Sequence, residues 1–289
     1  MKKLTHSRIR NGMERGYGFQ NLVRRSLLVQ FVFGGLVSLF VTFAVITSHA
    51  SAQTAIAPSP ATADLDIQTA KVEYLSNLDL LVFEQTLEDT AGKTVPPAVG
   101  QVDGAPVLGY VFPTTLKPKV AGFGEVEGVL ALAVTSHPDF DDTPLWDENL
   151  DRRYDNDGAI YHSHWVVLNP DERVAGGLSV KEFKEGDASV VMPPTNPGMP
   201  MYLDSPGFQV LLRDNRLQVL VPAARIRNQT DFKYDAVTAY MQVNTTDRTR
   251  PLLGVYKVYE VLSGDLSLPF SASSTNSEIG TPLLSNSLN

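Results

Sequence analysis

The sequence predicts an all-β fold, an antiparallel two-sheet β-sandwich of jelly-roll type, on three observations. Short apolar or alternating runs rich in Val, Leu, Phe and Tyr recur from residue 64 onward, the spacing of strands with one or both faces covered. Turn-forming residues separate them, drawn from 21 Gly and 19 Pro. No stretch beyond residue 52 keeps apolar residues at helical spacing for more than a turn or two. Many short strands punctuated in this way pack as a sandwich.

The chain opens on a different composition. Residues 27–46 are apolar apart from Gln30, Ser38, Thr42 and the small residues Gly34, Gly35 and Ala44. Seven bases precede this run, and Ala50-Ser51-Ala52 follows it. Basic, apolar and small-x-small segments in that order predict a signal peptide over 1–52, with Gln53 as the new terminus of a secreted or periplasmic protein. Left uncleaved, the same run is long enough to anchor the chain in a membrane, with the rest facing outward. Arg24-Arg25-Ser26-Leu27-Leu28 resembles the R-R-x-Φ-Φ core of twin-arginine signals, with Val23 where Ser or Thr is usual. The resemblance implies export of an already folded chain; the general secretory route stays open beside it.

Residues 53–63 (QTAIAPSPATA) read as a linker, and 64–270 as the β-domain. Strands are expected over 64–75, where apolar residues alternate, and over 78–87, which is apolar on both faces. A Gly/Pro-rich loop covers 90–106. Strands follow over 107–112 and 128–134, then an acidic loop over 136–158 and a strand over 159–168. Asn169-Pro170-Asp171-Glu172 turns the chain into a short strand over 177–180. Five prolines within 192–207 exclude a regular element there. Residues 208–212 and 216–221, separated by Arg213-Asp214-Asn215, form the clearest hairpin. Strands over 237–243 and 252–262 complete the domain, and 271–289 is a polar tail.

Composition narrows the function. Residues 1–52 hold seven bases and one acid, so 17 bases and 31 acids remain beyond them, a net charge of −14. That balance excludes nucleic acid as a partner and suits cations or neutral ligands; a membrane partner follows only if the N-terminal segment is uncleaved. Cysteine is absent, which removes disulfides, thiolate metal sites and a Cys nucleophile.

One stretch resembles a known family. Leu217-Gln218-Val219-Leu220-Val221-Pro222-Ala223-Ala224-Arg225-Ile226, then Phe232-Lys233-Tyr234-Asp235-Ala236-Val237, is similar to the late strands of DOMON-like sandwiches. In those secreted or periplasmic domains a strand ending in a Val-Pro corner leads through a helical turn into a strand beginning near an aromatic. The resemblance covers about 25 residues and implies a sandwich that binds haem or sugar. It carries over no binding residue.

The chemistry-bearing residues concentrate between residues 137 and 164. All three histidines beyond residue 52 lie there: His137, His162 and His164. On a strand, His162 and His164 share one face, with imidazole roots about 6.6–7 Å apart. His137 ends the preceding strand and approaches from the side if the two strands pair; Asp139 follows as an oxygen ligand. Three imidazoles and a carboxylate suit Zn, Cu, Fe or Mn. Histidines satisfied by nearby carboxylates are the plainer alternative.

Asp141, Asp142, Asp155 and Asp157 form a candidate cation loop with oxygen chemistry for Ca, beside the reading of a solvated loop. The HxH lacks the glycine spacing and following Glu of a cupin. An EF-hand aligned on Gly158 would put Arg153 and His164 where carboxylates are required. Met192, Met199 and Met201 offer thioethers, or a lid. Trp146, Tyr161 and Trp165, with Tyr154, are candidate ligand-facing aromatics.

The expectation is an exported, non-catalytic protein binding a metal ion or small ligand at the His corner. A metal-dependent enzyme using the same cluster, and a carbohydrate- or surface-binding module using the aromatics, stay open beside it.

Overall fold

The computed structural model describes residues 58, 60–143 and 145–275. The expected signal segment and most of the expected tail lie outside the described residues. Among those described, no helix is long and apolar enough to cross a membrane, and the helical turns are three 3-10 segments: Ala63–Leu65, Pro118–Ala121 and Ala223–Ile226. The rest of the regular structure is β. In chain order the strands are β1 (Ile67–Leu75), β2 (Leu80–Leu87), β3 (Pro106–Pro113), β4 (Val129–Ser136), β5 (His162–Pro170), β6 (Leu178–Val180) and β7 (Leu203–Asp204). They continue as β8 (Gln209–Arg213), β9 (Arg216–Pro222), β10 (Lys233–Tyr234), β11 (Val237–Val243), β12 (Leu253–Val261), β13 (Phe270–Ser271) and β14 (Ser273–Thr275).

One sheet has the order β14-β1-β2-β9-β8. A second runs β4-β3-β11-β12-β6-β5-β7, and β4 also pairs with β5. That pairing joins the two ends of the row, so β4, β3, β11, β12, β6 and β5 close into a six-stranded antiparallel barrel, with β7 lying on β5. The expected sandwich of two open sheets is therefore corrected: one layer is an open sheet and the other is a closed barrel.

The reason lies in which faces are apolar. In β4, Ala131 and Ala133 point into the barrel while Leu130, Leu132 and Val134 point out; in β5, Val166 and Leu168 point in while Trp165 and Val167 point out. Both faces must be covered. The outer one packs on the open sheet, with Phe83 meeting Phe112 and Trp165 edge-on at centroid distances of 5.4 and 6.3 Å. The inner one is covered only if the sheet curls onto itself. Small residues on the inside (Gly109, Ala131, Ala133, Ala239) leave room for that curvature, and two register shifts between β11 and β12 sharpen it. At Gly109 a Cβ would lie 2.9 Å from the Met241 Cε on the neighbouring strand β11.

The start of the expected tail is also ordered. Ser271 pairs with Lys233, and Ser273–Thr275 adds a parallel strand to β1.

Candidate metal centre

The β4–β5 ladder runs from Val129↔Leu168 to Thr135↔His162 and stops there. Strand alternation aims His162 and His164 into the barrel end. His137 lies just past the end of β4, where the chain leaves the sheet. The connecting loop returns close to its start: His137 N donates to Gly158 O at 2.7 Å, and Ser136 Oγ to Ala159 O at 2.7 Å. Gly158 is required by that closeness, since a Cβ there would sit 1.9 Å from Phe140 O and 2.5 Å from His137 O.

Asp142 is delivered by the same loop. Its neighbour Asp141 accepts from Thr143 N and Oγ1, each at 2.7 Å, and from Asp157 N at 3.0 Å, which folds the loop over the barrel mouth. Ser205, one residue past β7, donates its hydroxyl to Asp142 O at 2.7 Å.

These elements bring His137, Asp142, His162 and His164 together, all buried, with one ligand atom from each lying within 4.8 Å of every other. His162 Nε2 is 2.9 Å from His137 Nε2 and 3.1 Å from Asp142 Oδ1. His137 Nε2 and His164 Nε2 are 3.3 and 3.5 Å from that same oxygen. Four donors around a tetrahedral ion with bonds of about 2.0–2.1 Å stand roughly 3.3 Å apart, so the spacing fits a metal of that size.

Proton accounting sharpens the point. His137 Nδ1 contacts Phe140 O at 3.0 Å and His162 Nδ1 contacts Ile160 O at 2.6 Å. A carbonyl only accepts, so both Nδ1 atoms carry hydrogen. Ser205 has spent its proton on Asp142 O, so His164 Nδ1–H donates to Ser205 Oγ at 3.2 Å. In neutral rings all three Nε2 atoms are then bare lone pairs. Two of them face each other at 2.9 Å, and His164 Nε2 is buried with no hydrogen-bond partner. Lone pairs in contact repel unless a cation or a proton lies among them. Nδ1 held by a fixed acceptor with Nε2 free is also how metal-ligating imidazoles are oriented.

Without an ion, a proton on His162 takes the place of that cation. Burial opposes ionisation of Asp142, but interaction with His164 and His137 and hydrogen bonds from His137 and His162 hold its carboxyl well below the usual carboxylate range. Burial pushes His164 down to about 3, which keeps it neutral. His162 also feels burial, yet its hydrogen bond to Asp142 and that group's charge hold it above the ordinary imidazole value.

Asp139, the carboxylate expected to join the histidines, lies elsewhere. It accepts from Val99 N and Gly100 N at 2.7 and 2.6 Å and pins the loop between β2 and β3. The four acids of the candidate cation loop do not converge: Asp142 faces the histidines, Asp141 caps its own turn, Asp157 accepts from Glu148 N at 3.1 Å, and exposed Asp155 pairs with Arg153. Trp165 is buried between the layers, and buried Tyr161 donates to Thr94 O at 2.7 Å. Neither presents a ring to solvent. Trp146 lies against Gly207 but remains 37% exposed, and Tyr154 is exposed. Met199 and Met201 line the barrel interior, whereas Met192 packs on the outer core.

Alternation found the two strand histidines. Nothing in the sequence singles out Asp142 from the loop's other acids, and Ser205 lies 41 residues beyond His164 in a Pro-rich segment without periodicity.

Two spaces adjoin the cluster. Inside the barrel is a cavity of about 50 Å³, walled by aliphatic and Met side chains and ended by His137, Asp142 and His164. Outside is an open groove of about 340 Å³ lined by Trp146, Glu148, Ile160, His162 and Phe208. Burial raises the carboxyl pKa of Glu148 against the opposing influence of His162. No protein-family model, curated protein or solved structure matches this chain.

Proposed function

We propose that this is an exported protein that holds a divalent transition metal on His137, Asp142, His162 and His164, and that binding rather than catalysis is its primary role. The observation that carries the reading is the set of three Nε2 lone pairs directed at one carboxylate oxygen with every Nδ1 already engaged. Three nitrogens and one oxygen without sulfur suit Zn, Fe, Mn or Cu. The donors are buried, and each is fixed by a backbone or Ser205 contact, which favours tight, slowly exchanging binding.

A second reading, a metal-dependent enzyme, is favoured by the two spaces that reach the cluster, with Glu148 in the outer groove as an acid or base. Elemental analysis of protein purified from the exported fraction tests the first reading. The expected result is one equivalent of a single transition metal, lost in His162→Ala. Equal melting temperatures of the wild type with and without chelator would refute it, because an ion bound to the native state raises stability by mass action.

A further inference from the structure

We infer that the metal centre keeps a fifth coordination position that opens into the barrel cavity and takes a small monoanion. The inference rests on the metal-binding reading above and adds the direction and charge of the ligand.

The direction follows from which donors meet which space. His137, Asp142 and His164 end the internal cavity; His162 does not line it, and borders the outer groove instead. Three donors therefore ring the cavity end with the fourth behind them. A fifth ligand approaching from the cavity would enter opposite His162, through the face formed by the other three donors.

The charge follows from counting. A divalent ion, one ionised carboxylate and three neutral imidazoles sum to one positive charge. No other charged side chain lines the cavity. An unbalanced charge against aliphatic walls is costly, and a monoanion removes it. The cavity supplies one polar contact for such a guest: Thr135 lines it, is buried, and has an Oγ1 with no hydrogen-bond partner. Its O–H is free to donate to an anion.

Size sets the limit. A cavity of about 50 Å³ compares with roughly 10–15 Å³ of the same measure for one water, so the guest has only a few non-hydrogen atoms. Hydroxide, azide, formate or acetate fits; a sugar does not.

The test uses the purified protein loaded with Co²⁺, whose visible absorption is intense when four-coordinate and weaker when five-coordinate. Titration with sodium azide should give a saturable fall in intensity and a new charge-transfer band. Thr135→Val should bind cobalt normally but azide at least about tenfold more weakly, the loss of one hydrogen bond to a charged group. Ala239→Leu, which fills the cavity, should bind cobalt and not respond to azide; Ala239→Val, the milder change, should fall between it and the wild type. Gln209→Trp, in the outer groove, should respond as the wild type does. Stoichiometric cobalt with no azide response in the wild type would overturn the inference and leave the metal site standing. An azide response blocked by Gln209→Trp but not by the Ala239 variants would overturn it too, by placing entry on the other side. Failure of cobalt to bind at all would remove the metal reading itself.

Discussion

Ser205 is the most informative single residue to change. Its hydroxyl donates to Asp142 O and accepts from His164 Nδ1–H, so one buried oxygen fixes two of the four ligands. Replacing it with Ala touches no metal bond. It does release the backbone that carries Asp142 and lets the His164 ring turn. Outer contacts of this kind are worth about 10–100-fold in metal affinity, or about 1.4–2.7 kcal/mol. A second cost falls on the metal-free protein, where a buried carbonyl and a buried N–H lose their partner, at about 1–3 kcal/mol each. Competition with a chelator of known affinity measures the first quantity, and urea unfolding in excess chelator measures the second. Ser205→Thr keeps a hydroxyl at the same position and should restore most of the affinity. If Ser205→Ala binds metal as tightly as the wild type, His164 is not held through Ser205 and the proton accounting fails with it.

Other changes separate ligands from scaffold. Asp139→Asn should leave metal affinity unaltered, since Asp139 holds the 99–100 loop rather than the histidines; isothermal titration with Zn²⁺ checks it, and a tenfold loss would make Asp139 a ligand. Gly158→Ala drives a Cβ against the Phe140 and His137 carbonyl oxygens. It should cost about 1–3 kcal/mol by overpacking in urea unfolding and weaken metal binding with it, whereas wild-type stability would show the loop free to shift. In chelator, stability should fall as the pH drops from 6 to 4.5. His164 titrates near 6.5 when unfolded and about 3 when folded, so the unfolded chain takes up the proton first. The slope is at most about 1.4 kcal/mol per pH unit, or about 2 kcal/mol over that window. His162, raised on folding, acts in the opposite sense and at higher pH, so it leaves this window to His164. His164→Gln should flatten the slope; an unchanged slope would assign it to other groups.

The strands were legible because burial imposes a period of two on their sequences, and β1, β2, β9 and β11 start and end within two or three residues of where alternation places them. Closure of the barrel was not. Val129 to Ser136 and His162 to Pro170 are apolar on both faces, and that pattern describes a strand covered by a second sheet as well as one covered by a curled neighbour. The strands too short to show a period, such as Leu203–Asp204, left no signal at all. At the site, the imidazole pair on β5 follows from strand geometry, and the approach of His137 follows from the β4–β5 pairing. The carboxylate depends on hydrogen bonds inside an acidic loop, where Asp139, Asp141, Asp142 and Asp157 all have the same local chemistry and only the folded path distinguishes them.

That path explains why a chain without cysteine would keep four buried polar side chains at the mouth of its barrel. The β4–β5 ladder ends at Thr135↔His162, and beyond it the 24 residues 138–161 separate His137 from His162 with no strand among those described. Loop closure alone costs little more for such a length than for a shorter one, but the ends must still be held. In the metal-free state they are held by one carboxylate shared among three imidazoles, a buried polar arrangement that desolvation makes weak. A divalent ion strengthens those contacts together: the Nε2 lone pairs become bonds, and the carboxylate gains a doubly charged partner. The ion then ties the end of β4, the loop and the start of β5 together, and through Ser205 it reaches the residue after β7. On this argument metal occupancy should order the barrel mouth more than the far end. Hydrogen exchange should slow first at residues 137–162, while the amides of β1 and β2, which pack on the opposite layer, should exchange alike with and without the ion.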